Sequence, residues 1–168
     1  MKIQVGGMSE GAHEYLFESA PAEISLGENF SAPVEVAASL EKSATQFFLK
    51  AHIRAQGVFV CDRCLAEFTL SLTPQYQMLY VLEGTGADNL DPAEIQVIPH
   101  GFTIIDLTED VRQTIILSVP LKLLCREDCK GLCPVCGADR NTRSCTCTTT
   151  IIDERWEKLL PDKRNIRN

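Results

Sequence analysis

A dense run of cysteines, CREDCKGLCPVCGADRNTRSCTC, constrains this chain more than any other feature of its sequence. A tetrahedral metal held by thiolates needs ligands that arrive in close pairs, and a C-x2-C turn points two sulfurs at one position. Cys133 and Cys136 form such a turn inside the run, and Cys61 and Cys64 form a second one far upstream. The spacing therefore predicts zinc sites that tie distant parts of the chain together.

This chain of 168 residues has eight cysteines, and we expect it to occupy a reducing compartment. The N-terminus lacks a basic segment followed by a long apolar run, and no apolar stretch reaches the roughly 20 residues that a membrane helix needs. Thiols in the cytoplasm are kept reduced, so they serve metal binding or redox chemistry rather than disulfides. We therefore expect a cytoplasmic protein that does not contact a membrane.

The formal net charge is −7, and two zinc ions each held by four thiolates would lower it further. Affinity for a phosphate backbone comes mainly from Lys and Arg side chains. A chain this acidic is a poor general nucleic-acid binder, so any contact with RNA must be local. The candidate RNA contacts lie beside the cysteines and near the C-terminus: Arg140, Arg143, Lys158, Lys163, Arg164 and Arg167.

Alternation of apolar and polar residues predicts an antiparallel, β-rich body. The predicted strands lie around Ile24, around Val34, and over 45–53, 58–60, 68–72, 76–80 and 95–98. Gly57 is expected to interrupt the strand that precedes it. The runs on either side of Cys61 and Cys64 predict a hairpin with this cysteine pair at its tip. Residues 1–20 show few clear periodic signals, and the pattern leaves their structure open.

One helix is predicted over about 106–119, with an apolar face that packs on the sheet. Asp106 is a suitable N-cap, Glu109 completes a capping-box pattern, and Pro120 ends the helix. The predicted fold class is therefore α+β. An antiparallel β-rich body with the packed helix occupies 1–130, and a small zinc-ribbon-like knuckle with a short helical basic tail occupies 131–168.

Eight cysteines suit two sites of four, and the spacing leaves more than one partition open. The favoured partition places Cys133, Cys136, Cys145 and Cys147 in a ribbon-like site, and Cys61, Cys64, Cys125 and Cys129 in the other. A competing partition exchanges Cys125 and Cys129 with Cys145 and Cys147. One zinc with four free thiols is a third arrangement. In each two-site scheme the C-x-C pair can share one ion only if the backbone bends there.

The predicted metal sites are structural rather than catalytic. Four-cysteine zinc sites are closed, whereas a catalytic zinc keeps an open position and usually has His or carboxylate ligands. The histidines, His13, His52 and His100, share no zinc-binding spacing. A thioredoxin-like pair would begin a helix, but the residues after Cys64 alternate like a strand. With no other catalytic motif in the sequence, we expect no enzyme and no small-molecule substrate.

Taken in order, these motifs resemble the YceD family, the large ribosomal RNA subunit accumulation proteins of bacteria and plastids. The matching segments, within about 25–160, are VCDRCLAEF, IDLTEDVRQTIILSVP, CKGLCPVCGADRNTRSCTC and DERWEKLL. The family's cysteine cluster often reads C-K-G-L-C-P-x-C-G-x-D/N-L-N, and Arg140 stands where a leucine is usual. Some members lack most of this cluster but keep the first C-x2-C, which suggests a scaffold with an optional ribbon.

The resemblance implies a non-enzymatic role in accumulation of 23S rRNA, and hence in assembly of the large ribosomal subunit. The implied partners are an assembly intermediate, a ribosomal protein or rRNA, and the acidic body would suit a basic ribosomal protein. The alternative is a zinc-ribbon regulator or adaptor that binds protein or nucleic acid outside the ribosome. That alternative predicts normal ribosome profiles after depletion.

Overall fold

The computed structural model describes residues 1–84 and 95–147. In chain order the elements are β1 Lys2–Gln4, β2 Gly11–Ser19, a 3-10 turn Pro21–Ile24, β3 Val34–Lys42, β4 Gln46–Val60, β5 Glu67–Leu72, β6 Gln75–Leu82, β7 Ile95–Ile98, β8 Ile104–Asp106 and α1 Thr108–Ser118. Strands thus dominate and a single helix accompanies them in these ranges. The predicted α+β class is confirmed.

A six-stranded sheet forms the body, with the long strand β4 at its centre. Strands β2, β3, β4 and β6 pair antiparallel in that order, and β7 joins β6 in parallel. On the edge opposite β3, residues 46–52 of β4 pair with β6 and residues 55–60 pair with β5. The second half of β4 and β5 therefore form a hairpin, which carries the first cysteine pair at its tip as predicted.

Strict alternation in β3 and β4 buries one face of the sheet, because successive side chains of a strand point to opposite faces. Leu40 and Leu49 lie on the buried face, and α1 contributes Val111 and Ile115 to the same core. The small antiparallel pair of β1 and β8 adds Ile3 to the same core. The predicted packing of the helix on the sheet is therefore present.

The N-terminal part of the fold departs from the prediction. The strand expected around Ile24 is the 3-10 turn, and residues 1–20, whose structure the pattern leaves open, contain β1 and β2. Pro21 begins this turn with a fixed φ. The carboxylate of Glu23 accepts hydrogen bonds from the backbone N–H of Ala20 and the hydroxyl of Ser19. These local bonds outweigh the short apolar alternation that favoured a strand.

The start of α1 also differs in detail. Leu107 is the N-cap residue, and the side chain of Asp106 accepts the backbone N–H of Thr108 at 3.0 Å. The Glu109 carboxylate does not turn back to the cap; it accepts a hydrogen bond from Arg112 at 3.0 Å. The predicted capping box is therefore wrong, although the helix ends at Ser118 before the proline that was expected to stop it.

The predicted interruption at Gly57 is also wrong, because β4 runs through it. A Cβ built on Gly57 would lie 2.8 Å from the ring of Phe59 and 3.2 Å from the carbonyl oxygen of Asn29. That carbonyl accepts the backbone N–H of Val58 at 2.8 Å. Glycine is needed here because another backbone segment packs closely on the strand.

Gly57→Ala is therefore expected to destabilise the protein by about 1–3 kcal/mol through overpacking. Gly27→Ala is the matched control, because a Cβ at Gly27 meets nothing within 4 Å. Denaturant unfolding of both variants measures the difference. Equal denaturation midpoints for the two variants would show that the close packing of the Asn29 segment on Gly57 does not require glycine.

Some predictions fall where the structure does not test them. The predicted helical basic tail, with Lys158, Lys163, Arg164 and Arg167, lies outside the described residues, and the domain boundary after residue 130 stays a prediction. Among the described residues, no helix has both the length and the apolar character of a membrane span.

Candidate metal centres

Four cysteines from two distant segments meet at the tip of the hairpin. We name this group tetrad A: Cys61, Cys64, Cys125 and Cys129. All four sulfurs lie within 4.8 Å of one another, with Cys61 to Cys129 at 3.8 Å and Cys64 to Cys125 at 3.6 Å. Sulfurs at the corners of a tetrahedron, each about 2.3 Å from zinc, are about 3.8 Å apart. Tetrad A is positioned to bind a tetrahedral metal ion.

The other four cysteines form a second group of the same kind. Tetrad B consists of Cys133, Cys136, Cys145 and Cys147, whose sulfurs also lie within 4.8 Å of one another. Tetrad A is mostly buried, whereas in tetrad B Cys133 is buried and Cys136 is exposed. The two groups match the favoured partition. The competing partition would join cysteines that the fold places in different tetrads.

The two C-x2-C turns share one pattern of backbone hydrogen bonds. The residue after the second cysteine donates its N–H to the carbonyl of the first: Leu65 to Cys61 at 2.9 Å, and Gly137 to Cys133 at 2.8 Å. The first cysteine of each turn donates in return to the carbonyl five positions on. Both turns require a left-handed residue, with φ of 59° at Leu65 and 71° at Gly137.

Leu65 therefore occupies a backbone conformation that glycine adopts without strain in the matching turn. Because its side chain is 64% exposed, little packing is lost on its removal. We expect Leu65→Gly to stabilise the metal-loaded protein by about 0.5–1 kcal/mol, since relief of left-handed strain exceeds the entropy that glycine adds to the unfolded chain. Leu65→Ala, which keeps the strain, should bring no gain. Denaturant unfolding compares the two, and a gain shared by both would contradict the argument.

Backbone amides favour the thiolate form at the first cysteine of each turn. Burial raises the pKa of Cys61, but three neighbouring backbone N–H groups outweigh it and lower the pKa to about 6. For Cys133, hydrogen bonds from the backbone of Cys136 and Val135 lower the pKa to about 6. The thiolate is the form that ligates a metal, so each turn prepares one ligand before any ion binds.

Burial and the neighbouring thiols hold other thiols of the tetrads in the protonated form. Burial and then the adjacent thiols raise the pKa of Cys125 to about 12. The thiol of Cys136 has the largest effect on Cys147, whose pKa is raised to about 12. A divalent cation would compensate the repulsion and release these protons on binding. An all-sulfur donor set of this kind fits zinc among the common divalent ions.

Hydrogen bonds across the two segments hold tetrad A together. The guanidinium of Arg63 donates to the carbonyl of Cys129 at 2.8 Å, and the Arg63 carbonyl accepts the N–H of Leu132 at 2.9 Å. The N–H of Asp62 donates to the Leu123 carbonyl at 2.8 Å, and the Asp62 carboxylate accepts the Leu123 N–H at 2.6 Å. The two residues between the cysteines of the first turn thus position the later pair.

One polar residue at the tetrads was missed by the sequence analysis. The side-chain amide of Asn141 lies in the loop between Cys136 and Cys145, and its nitrogen is 3.4 Å from the sulfur of Cys129 in tetrad A. The residues of this loop, GADRNTRS, are polar and show no periodicity that would single out Asn141. The signal that could have found it is the asparagine that ends the family's cluster pattern.

Two of the candidate RNA contacts lie beside tetrad B. Arg140 and Arg143 are exposed and, with Lys130, line a cavity of about 250 Å³ next to the tetrad B sulfurs. The fold thus places three cations around one group of thiols. The remaining four candidates lie outside the described residues, so their position relative to this cavity stays untested.

Comparison with known proteins gives one family match. The family described as large ribosomal RNA subunit accumulation protein YceD matches residues 49–160, a range that includes all eight cysteines. No solved structure matches the chain.

Three relatives show how far the similarity extends. The large ribosomal RNA subunit accumulation protein YCED homolog 1, chloroplastic, of Zea mays is 48% identical over 44 residues, which are 26% of this chain and 15% of the relative. The protein of the same name from Arabidopsis thaliana is 30% identical over 70 residues, 38% and 22% respectively. An uncharacterized protein of Mycobacterium tuberculosis is 39% identical over 112 residues, 64% and 51%. The chain spans about half or less of the length of these relatives.

Proposed function

The chain belongs to the YceD family, and from this premise we propose that it supports accumulation of large-subunit ribosomal RNA as a non-enzymatic assembly factor. The observation that carries the proposal is the family match over 49–160, which includes both tetrads, the hairpin and the helix. Its partner would be a large-subunit assembly intermediate, reached through a ribosomal protein or rRNA.

Zinc in both tetrads is the metal part of the proposal. Each tetrad offers four sulfurs and no oxygen or nitrogen ligand, which is the donor set of closed structural zinc sites. Tetrad A buries three of its four cysteines, so an ion there would have no open position for a substrate or an attacking water. Zinc would supply cross-linking of the hairpin tip to the segment after α1, and the chain's own amides and side chains would orient the thiolates.

Charge is unevenly distributed along the chain and suits a mixed partner. Residues 1–120 hold 6 Lys and Arg against 16 Asp and Glu, whereas residues 121–147 hold 5 against 3. The body would therefore attract a basic ribosomal protein. Each zinc-loaded tetrad carries a formal charge of −2, so contact with RNA would depend on exposed side chains such as Arg140 and Arg143 rather than on net charge.

Depletion of the protein tests the proposal directly. We expect mature large-subunit rRNA to fall relative to small-subunit rRNA, and the tagged protein to co-sediment with large-subunit precursor particles. Normal ribosome profiles after depletion would contradict the proposal and favour the regulator or adaptor outside the ribosome.

The RNA contact is tested with a charge-neutralising variant. Arg140→Gln with Arg143→Gln is expected to weaken association with the precursor. The slope of log affinity against log salt concentration should also become shallower by up to about two, about one for each phosphate contact that is lost. Arg54→Gln is the control, because Arg54 is an exposed cation on the sheet body that pairs with Glu35 at 3.6 Å. Equal loss of association in the two variants would argue for a general charge effect.

A further inference from the structure

The asparagine between the two tetrads connects them. We infer that Asn141 couples the metal affinities of tetrads A and B, by donating a hydrogen bond from the loop of tetrad B to a ligand of tetrad A. This inference rests on the proposal that both tetrads hold zinc. Its structural basis is the 3.4 Å contact between Nδ2 of Asn141 and the sulfur of Cys129.

The side chain of Asn141 is fully oriented by its other contacts. Its Oδ1 accepts the backbone N–H of Lys130 at 2.8 Å, and its Nδ2 donates to the carboxylate of Asp139 at 2.7 Å. An amide has one acceptor oxygen and two N–H donors. Because the oxygen faces Lys130, the second N–H is directed at the sulfur of Cys129. The hydrogen bond to the sulfur of Cys129 thus follows from the whole set of contacts.

The loop that carries Asn141 is closed by tetrad B. It runs from Cys136 to Cys145, so an ion held by both would fix the two ends of the loop. Inside it, the Asp139 carboxylate accepts the backbone N–H of Asn141 at 2.9 Å, and Arg140 donates its N–H to the Gly131 carbonyl at 3.0 Å. Without an ion the backbone bonds of the C-x2-C turn still hold the Cys136 end, but no metal–sulfur bond joins the Cys145 end to it. Holding Asn141 against Cys129 would then cost more conformational entropy.

A donor to a ligating sulfur raises metal affinity because it stabilises the thiolate over the thiol and orients it. The N–H of Asn141 therefore favours the zinc-bound form of tetrad A, and it is best placed when tetrad B is loaded. Thermodynamic linkage makes the effect reciprocal: zinc in tetrad A must favour zinc in tetrad B by the same factor. Asn141 is a positioning residue in this scheme and not a metal ligand.

The test is a thermodynamic cycle on zinc affinity of the full chain. The first variant is Asn141→Ala, and the second abolishes tetrad B with Cys136→Ser and Cys145→Ser. Zinc affinity of tetrad A is measured by competition with a chromogenic chelator, and Cd²⁺ substitution with ¹¹³Cd NMR assigns the signal to tetrad A. Thr142→Ala is the control, because Thr142 lies in the same loop and bonds only to Asp139 among the contacts of its described side chain.

Asn141→Ala is expected to weaken zinc binding at tetrad A by about ten- to hundred-fold. Loss of tetrad B should weaken zinc binding at tetrad A as well. When the two changes are combined, the affinity of tetrad A should fall by a smaller factor than the product of the two separate factors. The ¹¹³Cd signal of tetrad A should shift in Asn141→Ala and stay in place in Thr142→Ala.

Three results would overturn the inference. Unchanged affinity of tetrad A in Asn141→Ala, in a wild-type protein that holds two zinc ions, would remove the coupling and leave the proposed function intact. Fully multiplicative effects would show that Asn141 acts on tetrad A independently of tetrad B. Wild-type protein without zinc would overturn the metal part of the proposed function together with the coupling.

Discussion

Cys64→Ser is expected to release residues 121–147 from the hairpin tip while the sheet body stays folded. In the described residues, the main core draws on the strands, the 3-10 turn and α1, and its last member is Val119. The later segment contacts the body through a second, small cluster in which three cysteines are the fully buried members. Cysteine burial alone supplies little stability to hold a segment of this length.

Metal binding would supply most of the attachment. Structural zinc in small peptides contributes roughly 10–16 kcal/mol of apparent binding free energy, which becomes folding free energy where the site forms only on folding. The cross-segment hydrogen bonds at Asp62 and Arg63 each contribute about 1 kcal/mol and depend on the alignment that a bound ion would maintain. Removing one thiolate of tetrad A should therefore cost the zinc and the docking together.

Zinc content and hydrogen exchange measure this result. Cys64→Ser should lose one zinc per chain, and the N–H groups of Asp62, Leu123 and Leu132, which bond across the two segments, should lose protection. The amides of β3 and β4 should keep theirs. With zinc in excess, Cys136→Ser should also lose one zinc but keep the cross-segment protection. Loss of protection throughout the sheet in Cys64→Ser would contradict the separation of core and docking.

The hairpin and the two C-x2-C turns could be predicted because they depend on local spacing. Close cysteine pairs flanked by alternating strands identify a turn wherever they occur, and the C-x2-C at 61 to 64 needed no knowledge of distant contacts. Assigning Cys125 and Cys129 to this turn was harder, since it depends on where the chain returns after α1. The fold brings the segment after α1 back to the hairpin tip, where Leu123 bonds with Asp62 and Cys125 and Cys129 join the first turn. This resolves the choice between partitions.

The parts that were missed depend on tertiary contacts. Strand β2 alternates between half-buried and exposed residues, and Leu16 on its outer face is 87% exposed, so its hydrophobic period is weak. Gly57 breaks an isolated strand pattern, but here it makes room for the segment around Asn29. The role of Asn141 requires Cys129 and the tetrad B loop to be close in space. None of these is expressed in the periodicity of the residues themselves.

Gly131→Ala is expected to be the most damaging single substitution between the tetrads. Gly131 has φ of +70°, and a Cβ there would lie 2.8 Å from the carbonyl oxygen of Arg63. The same carbonyl accepts the N–H of Leu132. Left-handed strain of about 1–2 kcal/mol and loss of a hydrogen bond of about 1 kcal/mol, added to the clash, give an expected destabilisation of about 3 kcal/mol.

Gly137→Ala separates backbone strain from the clash. Gly137 has φ of +71°, nearly that of Gly131, but a Cβ there meets nothing within 4 Å. Its expected cost is the strain alone, about 1–2 kcal/mol. Unfolding of the zinc-loaded proteins gives the difference in stability, and chelator competition should show weakened zinc binding at tetrad A for Gly131→Ala alone. The contrary result is that both variants lose the same stability and keep the zinc affinity of tetrad A. That result would show that the close packing of Gly131 on Arg63 does not dock residues 121–147 at the hairpin tip, and that the bound ion alone holds them there.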